Sequence, residues 1–162
     1  MSFTISDGLP YYISLATGDL MELFESENNF NFLASLTPEQ AACRYERGKW
    51  SIRQIVGHVI DHERIMTYRV LRISRNDKTQ LHGYDQNLMV NNSRFEELDF
   101  SFLLEDFKAV RRSTISLIKS LSDLQLQRRG TTRKFELTAE EALRATIGHE
   151  IHHMNVIKEK YL

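Results

Sequence analysis

Residues 51–76 read "SIRQIVGHVIDHERIMTYRVLRISRN". Ile52, Ile55, Val56, Val59, Ile60, Met66 and Val70 recur at helical spacings and lay one broad apolar face along a helix. Ser51 stands as its N-cap, with Gln54 at the capping-box spacing. At about 1.5 Å per residue the helix runs close to 36 Å, the length of a bundle member. His58 and His62 lie four residues apart within it, so they share a face.

Three more segments carry the same period. Over residues 8–26 the stripe is Leu9, Tyr12, Ile13, Ala16, Leu20, Leu23 and Phe24. Over 101–122 it is Phe102, Leu103, Phe107, Val110, Ile115, Ile118 and Leu121. A final helix starts after Thr138, whose capping partner is Glu141, and runs through Tyr161. Between the first two helices lies a polar, aromatic connection in which Thr37, Pro38 and Gln40 form a short capped turn. "QRRGTTRKFELT" reads as a loop or small hairpin around Gly130. Two prolines and seven glycines leave little punctuation for a fold of many short strands. The expectation is an all-α, four-helix bundle around one core, with long connections after the first and second helices. Residues 1–162 are expected to form a single domain.

A net charge of −1 argues against an overall basic field, so no nucleic-acid partner is expected. No stretch approaches the roughly 20 apolar residues of a membrane span, so no membrane partner is expected either. "MSFTISDGLPYY" lacks the basic and apolar regions of a signal peptide. Cys43, the single cysteine, points to a reducing compartment, the cytoplasm, and reads as a small buried hydrophobe.

The chemistry concentrates in histidine. Residues 148–157, "GHEIHHMNVI", hold three of the six histidines of the chain. His149 and His153 are four apart and can reach one metal ion from one helix face; His152 points about 100° away from His153. Packing the second helix beside the last would bring His58 to that pair. Three neutral imidazoles would then hold a divalent ion with positions open for water or substrate, the catalytic style of site. A pair of histidines on a packed or solvated face is the alternative for either helix.

"GKWSIRQIVGHVIDHERIMTYRVLRISR", "HGYDQN" and "GHEIHHMNVIKEKY" resemble the matching segments of the DinB/YfiT-like family of metalloenzymes, in order and with compatible spacing. The resemblance implies a four-helix bundle with a long crossover, often a homodimer. It also implies a divalent metal held by three histidines, here His58, His149 and His153. Nickel and zinc are the metals it implies, with a low-molecular-weight thiol as a cosubstrate. The activity it implies is thiol transfer or hydrolysis on a small-molecule substrate. A non-catalytic metal- or ligand-binding stress-response protein fits the same residues. Two positions depart from the family pattern. His62 stands where a small or polar residue is common and reads as a fourth ligand, a proton shuttle or a bystander. His82 stands in place of a proline.

Asp61, Glu63 and Glu150 are carboxylates close enough in sequence to orient a histidine through its second ring nitrogen, or else solvated helix charges. Asp85 could fold over the site or be an ordinary turn residue. Arg69, nearly three turns beyond His58, is expected to pair with a carboxylate; holding an anionic substrate is the alternative. Trp50 reads as an apolar anchor where the second helix starts. Arg128, Arg129, Arg133 and Lys134 read as a solvated loop. Because a ligand imidazole must be neutral, metal affinity is expected to fall below about pH 6 to 6.5.

Overall fold

Ser51 Oγ accepts the Gln54 backbone N–H at 3.2 Å, and Gln54 Oε1 accepts that of Ser51 at 3.1 Å. The cap opens helix α5, Ile52–Ser74. Reciprocal pairs at Thr37/Gln40 and Thr138/Glu141 open α4, Pro38–Ala42, and α9, Ala139–Lys160. The computed structural model describes residues 2–162. Its remaining helices are α1 Leu9–Leu15, α2 Leu20–Glu25, α3 Asn28–Ala34, α6 Gln86–Asn91, α7 Phe100–Lys119 and α8 Asp123–Leu126. The fold is the expected four-helix bundle. Helix α5 packs on both α7 and α9, and the fourth position is filled by α1 and α2 in series. No helix among the described residues is long and apolar enough to cross a membrane.

The first helix is therefore not continuous, as its stripe suggested. Gly18 adopts φ 101° and Asp19 caps a new helix by accepting the Glu22 N–H. A positive φ followed by a capping aspartate ends one helix and starts another. Arg144 ties the break to α9, donating to the Ala16 and Gly18 carbonyls at 2.9 and 3.1 Å. The connection after it holds two short helices, α3 and α4, where one capped turn was expected. On α7, Phe102 is 55% exposed while Phe100 is buried, because the inward face continues through Leu103, Phe107, Arg111 and Thr114.

Nor is there one core. Ile52, Ile55, Val56, Ile60, Phe107, Met154 and Ile157 belong to one apolar cluster; Met66, Val70, Ile73, Ile118 and Leu143 belong to another. Between them, at mid-length of the long helices, lie the buried polar side chains His58, His62, Glu63, Arg111, His149 and Glu150. One face of this belt is an ion triad. Arg111 donates from Nε to Glu63 Oε1 at 3.0 Å and from an NH2 nitrogen to Glu63 Oε2 at 2.9 Å, and it also donates to Glu150. The other face holds the histidines.

Strands β1, Arg129–Thr132, and β2, Phe135–Thr138, form an antiparallel hairpin, one of the two forms anticipated for this segment. The crossover after α5 is stitched to it: Leu81 N–H donates to Thr131 at 2.9 Å, and Arg133 N–H to Leu81 at 2.8 Å. The stitch sets residues 82–85 beside the histidine face.

Helix α1 can lie close along α9 because residue 148 is glycine. A Cβ there would stand 1.8 Å from the Tyr12 carbonyl oxygen, backbone that cannot yield cheaply. Gly148→Ala is expected to cost about 3 kcal/mol, at the upper end of ordinary overpacking. Urea unfolding of the variant measures the cost, and a change below about 0.5 kcal/mol, ordinary for a surface site, would contradict the docking described.

Candidate metal centre

Packing of α5 against α9 places His58 opposite the His149/His153 pair. His149 Nε2 lies 2.9 Å from His58 Nε2 and 3.1 Å from His153 Nε2. One ligand nitrogen from each ring falls within 4.8 Å of the other two. Hydrogen bonding among neutral rings serves such a cluster poorly. His149 Nε2 can donate one proton or offer one lone pair, and it faces two partners. A cation serves it well. Metal–nitrogen bonds of about 2.0–2.1 Å at roughly 90–110° separate ligand nitrogens by roughly 2.8–3.4 Å, a range that holds the two short separations here.

Burial keeps these rings neutral. It pushes His58 down to about 4, and it holds His149 and His153 well below the ordinary imidazole range, aided by the neighbouring histidines. Neutral imidazole is the form that donates to a metal.

His62 is not aimed into the cluster but stacked on it, its ring 3.7 Å from that of His149 and inclined by 25°. Its Nδ1 lies 2.7 Å from the Tyr84 hydroxyl, and its buried Nε2 has no hydrogen-bond partner among the described residues. Burial, with smaller contributions from His58 and Arg69, pushes His62 down to about 3. Burial pushes the Tyr84 phenol up to about 12. Tyr12 closes another side, its ring edge-to-face with His149 at 5.1 Å. Trp50 packs on His58 at 5.0 Å, and its carbonyl accepts the Tyr161 hydroxyl at 2.6 Å, so it anchors both the start of α5 and a ligand ring.

Two open arms reach the cluster. A polar arm of about 530 Å³ is lined by Tyr12, His62, Tyr84, Asp85, Arg133 and His149. A more aromatic arm of about 330 Å³ is lined by Tyr45, Trp50, Gln86, His152, His153 and Tyr161. Gln86 borders both. A separate hollow of about 590 Å³ lies between α5 and residues 79–84 and touches none of the three clustered histidines.

The sequence profile of the DinB superfamily matches residues 25–157. The chain belongs to the DinB superfamily. Among solved structures it is similar to YfiT from Bacillus subtilis, described as a probable metal-dependent hydrolase with an unusual four-helix bundle topology. That match has 21% identity and a TM-score of 0.73, and it covers 98% of this chain and 89% of the other. No curated protein matches.

For a DinB-superfamily chain the three-histidine cluster fits a metal site, and the remaining polar residues sort around it. The nearby carboxylates neither orient the histidines nor, for Glu63 and Glu150, stand as solvated charges. Glu63 and Glu150 hold Arg111, Asp61 is paired with Arg64, and Asp85 Oδ1 caps α6 by accepting the Leu88 N–H at 3.0 Å. His149 Nδ1 is accordingly left without a partner among the described residues. His152 Nδ1 meets the Tyr11 hydroxyl at 3.1 Å, outside the cluster. His82 is exposed and contributes only its carbonyl, which accepts from Arg69 at 2.6 Å. Arg69 has no carboxylate partner among the described residues, against expectation. Cys43 is exposed rather than buried, at the C-cap of α4. Tyr84 went unremarked in the sequence although it sits beside Asp85 in the motif that carried the resemblance; no periodicity marks it, because it acts from a loop.

Proposed function

We propose that this chain is a metal-dependent enzyme acting on a small molecule, with His58, His149 and His153 as the protein ligands of one divalent ion. The observation that carries the reading is the convergence of three neutral Nε2 atoms, from buried His58 and His149 and half-buried His153, two pairs of them 2.9 and 3.1 Å apart. An all-imidazole donor set suits nickel or zinc. The ion would supply Lewis acidity that activates water or a thiol near neutral pH. Hydrolysis is supported by the description of YfiT; transfer from a low-molecular-weight thiol is supported by the two arms, which give room for two reactants. The implied homodimer is part of the same reading.

The residues around the ligands have defined tasks. Tyr84, kept protonated, is a hydroxyl donor, and the His62–Tyr84 pair holds a proton between Nδ1 and Oη at the edge of the polar arm. Tyr12, Trp50 and the stacked His62 ring shield the ligand imidazoles from bulk water, which strengthens charge interactions inside.

Zinc- or nickel-loaded protein is expected to turn over a member of a panel of thioesters, esters, amides and thiol acceptors, and the metal-free protein none. Stoichiometric metal with no turnover on any class would contradict an enzyme and leave a metal-binding module.

A further inference from the structure

We infer that Arg133 is the substrate-anchoring cation of this site, binding an oxyanion, carboxylate or phosphate, in the polar arm. The inference rests on the proposed function for the word substrate, but the anion pocket itself stands on geometry that needs no metal.

Arg133 occupies the tight turn of the hairpin with φ 53°. A non-glycine residue there is uncommon and strained, sustained only where the surroundings over-determine it. Here they do. Its N–H donates to Leu81, and its carbonyl accepts from Gln80 Nε2 at 3.2 Å. Its side chain then runs over Gly83, so closely that a Cβ at residue 83 would stand 3.1 Å from Arg133 Cγ, Cδ and Nε. Glycine at 83 leaves the path open, and the side chain lines the arm that holds His62, Tyr84 and His149.

Other arginines on the adjoining surface are committed. Arg64 pairs with Asp106, Arg72 with Asp77 and Arg129 with Glu136, while Arg128 donates to the Ser74 carbonyl at 2.6 Å. Among the described residues Arg133 has no side-chain hydrogen bond and no carboxylate. A second unpaired guanidinium lies behind it. Arg69 is 4% exposed and donates only to Met66 Sδ and the His82 carbonyl. Burial and then the charge of Arg133 hold the Arg69 guanidinium below its ordinary value, with Tyr84 opposing. Two cations thus flank residues 82–84, neither of them paired with a carboxylate among the described residues. The arm's own carboxylate, Asp85, caps α6 and makes no ion pair with Arg133 among the described residues. Guanidinium is the side chain suited to forked recognition of carboxylate and phosphate.

The test titrates succinate, inorganic phosphate and neutral dimethyl succinate into metal-free and zinc-loaded protein at low ionic strength, followed by amide chemical shifts. Wild type, Arg133→Asn and Arg133→Lys are compared; asparagine tolerates the left-handed backbone, so folding is preserved. At least one anion is expected to bind, shifting amides at 82–85 and 131–134. The expected weakening is tenfold or more in Arg133→Asn, partly restored by lysine, with no such dependence for the diester. Which anion responds separates a carboxylate from a phosphate. Equal affinity in wild type and Arg133→Asn, or saturation by neither anion, would overturn the inference. Zinc failing to bind while the anion still depends on Arg133 would remove the metal reading and leave this one.

Discussion

Arg111→Leu is expected to lower the unfolding free energy by about 3–5 kcal/mol, the cost of stranding buried charge. The guanidinium bridges Glu63 on α5 and Glu150 on α9 from its own place on α7, and it also donates to the Phe24 carbonyl at 3.3 Å. The rings of Phe24, Phe30 and Phe107 surround it at 5.2–5.5 Å. Burial pulls the Arg111 pKa down, but the two carboxylates outweigh it and hold it above the ordinary value. Leucine fills much of the volume, yet it leaves two carboxylates facing each other in an apolar shell. Replacing Glu63 and Glu150 by leucine as well removes that repulsion and is expected to recover most of the loss. Chemical denaturation of the single and triple variants gives both numbers. A single-variant loss below about 1 kcal/mol, the level of an exposed ion pair, would show that the triad is not the joint between the three long helices. The consequence reaches the site, because Glu63 follows His62 directly and Glu150 follows His149. What fixes the triad fixes the register of the histidines.

His58→Ala and His149→Ala are each expected to weaken zinc or nickel binding by more than about 100-fold, beyond what loss of an outer partner costs. Calorimetric titration checks it, and affinity within tenfold of wild type in either variant would exclude that residue as a ligand. The pH dependence follows from burial. A histidine held below its unfolded value of about 6.5 binds its proton in the unfolded chain before the folded one. The metal-free protein is therefore expected to lose stability as pH falls below about 6.5, with the His58 contribution spent near pH 4. Protons compete for the same lone pairs at these depressed values. Metal affinity should hold below the pH 6 to 6.5 expected for unperturbed histidine, and then fall. Thermal unfolding of metal-free protein between pH 7.5 and 4.5 reads the first effect; stability that is flat or rising on acidification would contradict buried neutral histidines.

The long helices were legible because their signals are local. Period, capping boxes at Ser51 and Thr138, and histidine pairs four apart all act within a few residues. The clustering of three histidines was legible for the same reason: His58, His149 and His153 meet once α5 and α9 lie side by side. What the sequence hid depends on the third dimension. Glu63 and Glu150 look like solvated helix charges until Arg111, 48 and 39 residues away, is seen between them. Tyr84 and Arg133 come from loops, where no period announces them, and their placement depends on the stitch between Leu81 and the hairpin. The break at Gly18 was marked in the sequence by glycine and a capping aspartate, but an unbroken apolar stripe masked it.

The central claim is that three imidazoles make one metal site, and elemental analysis of protein purified without a histidine tag tests it most directly. The account predicts about one equivalent of a transition metal per chain, lost in His153→Ala while that variant stays folded. No stoichiometric metal after incubation with nickel or zinc, or equal metal in the variant, would contradict it.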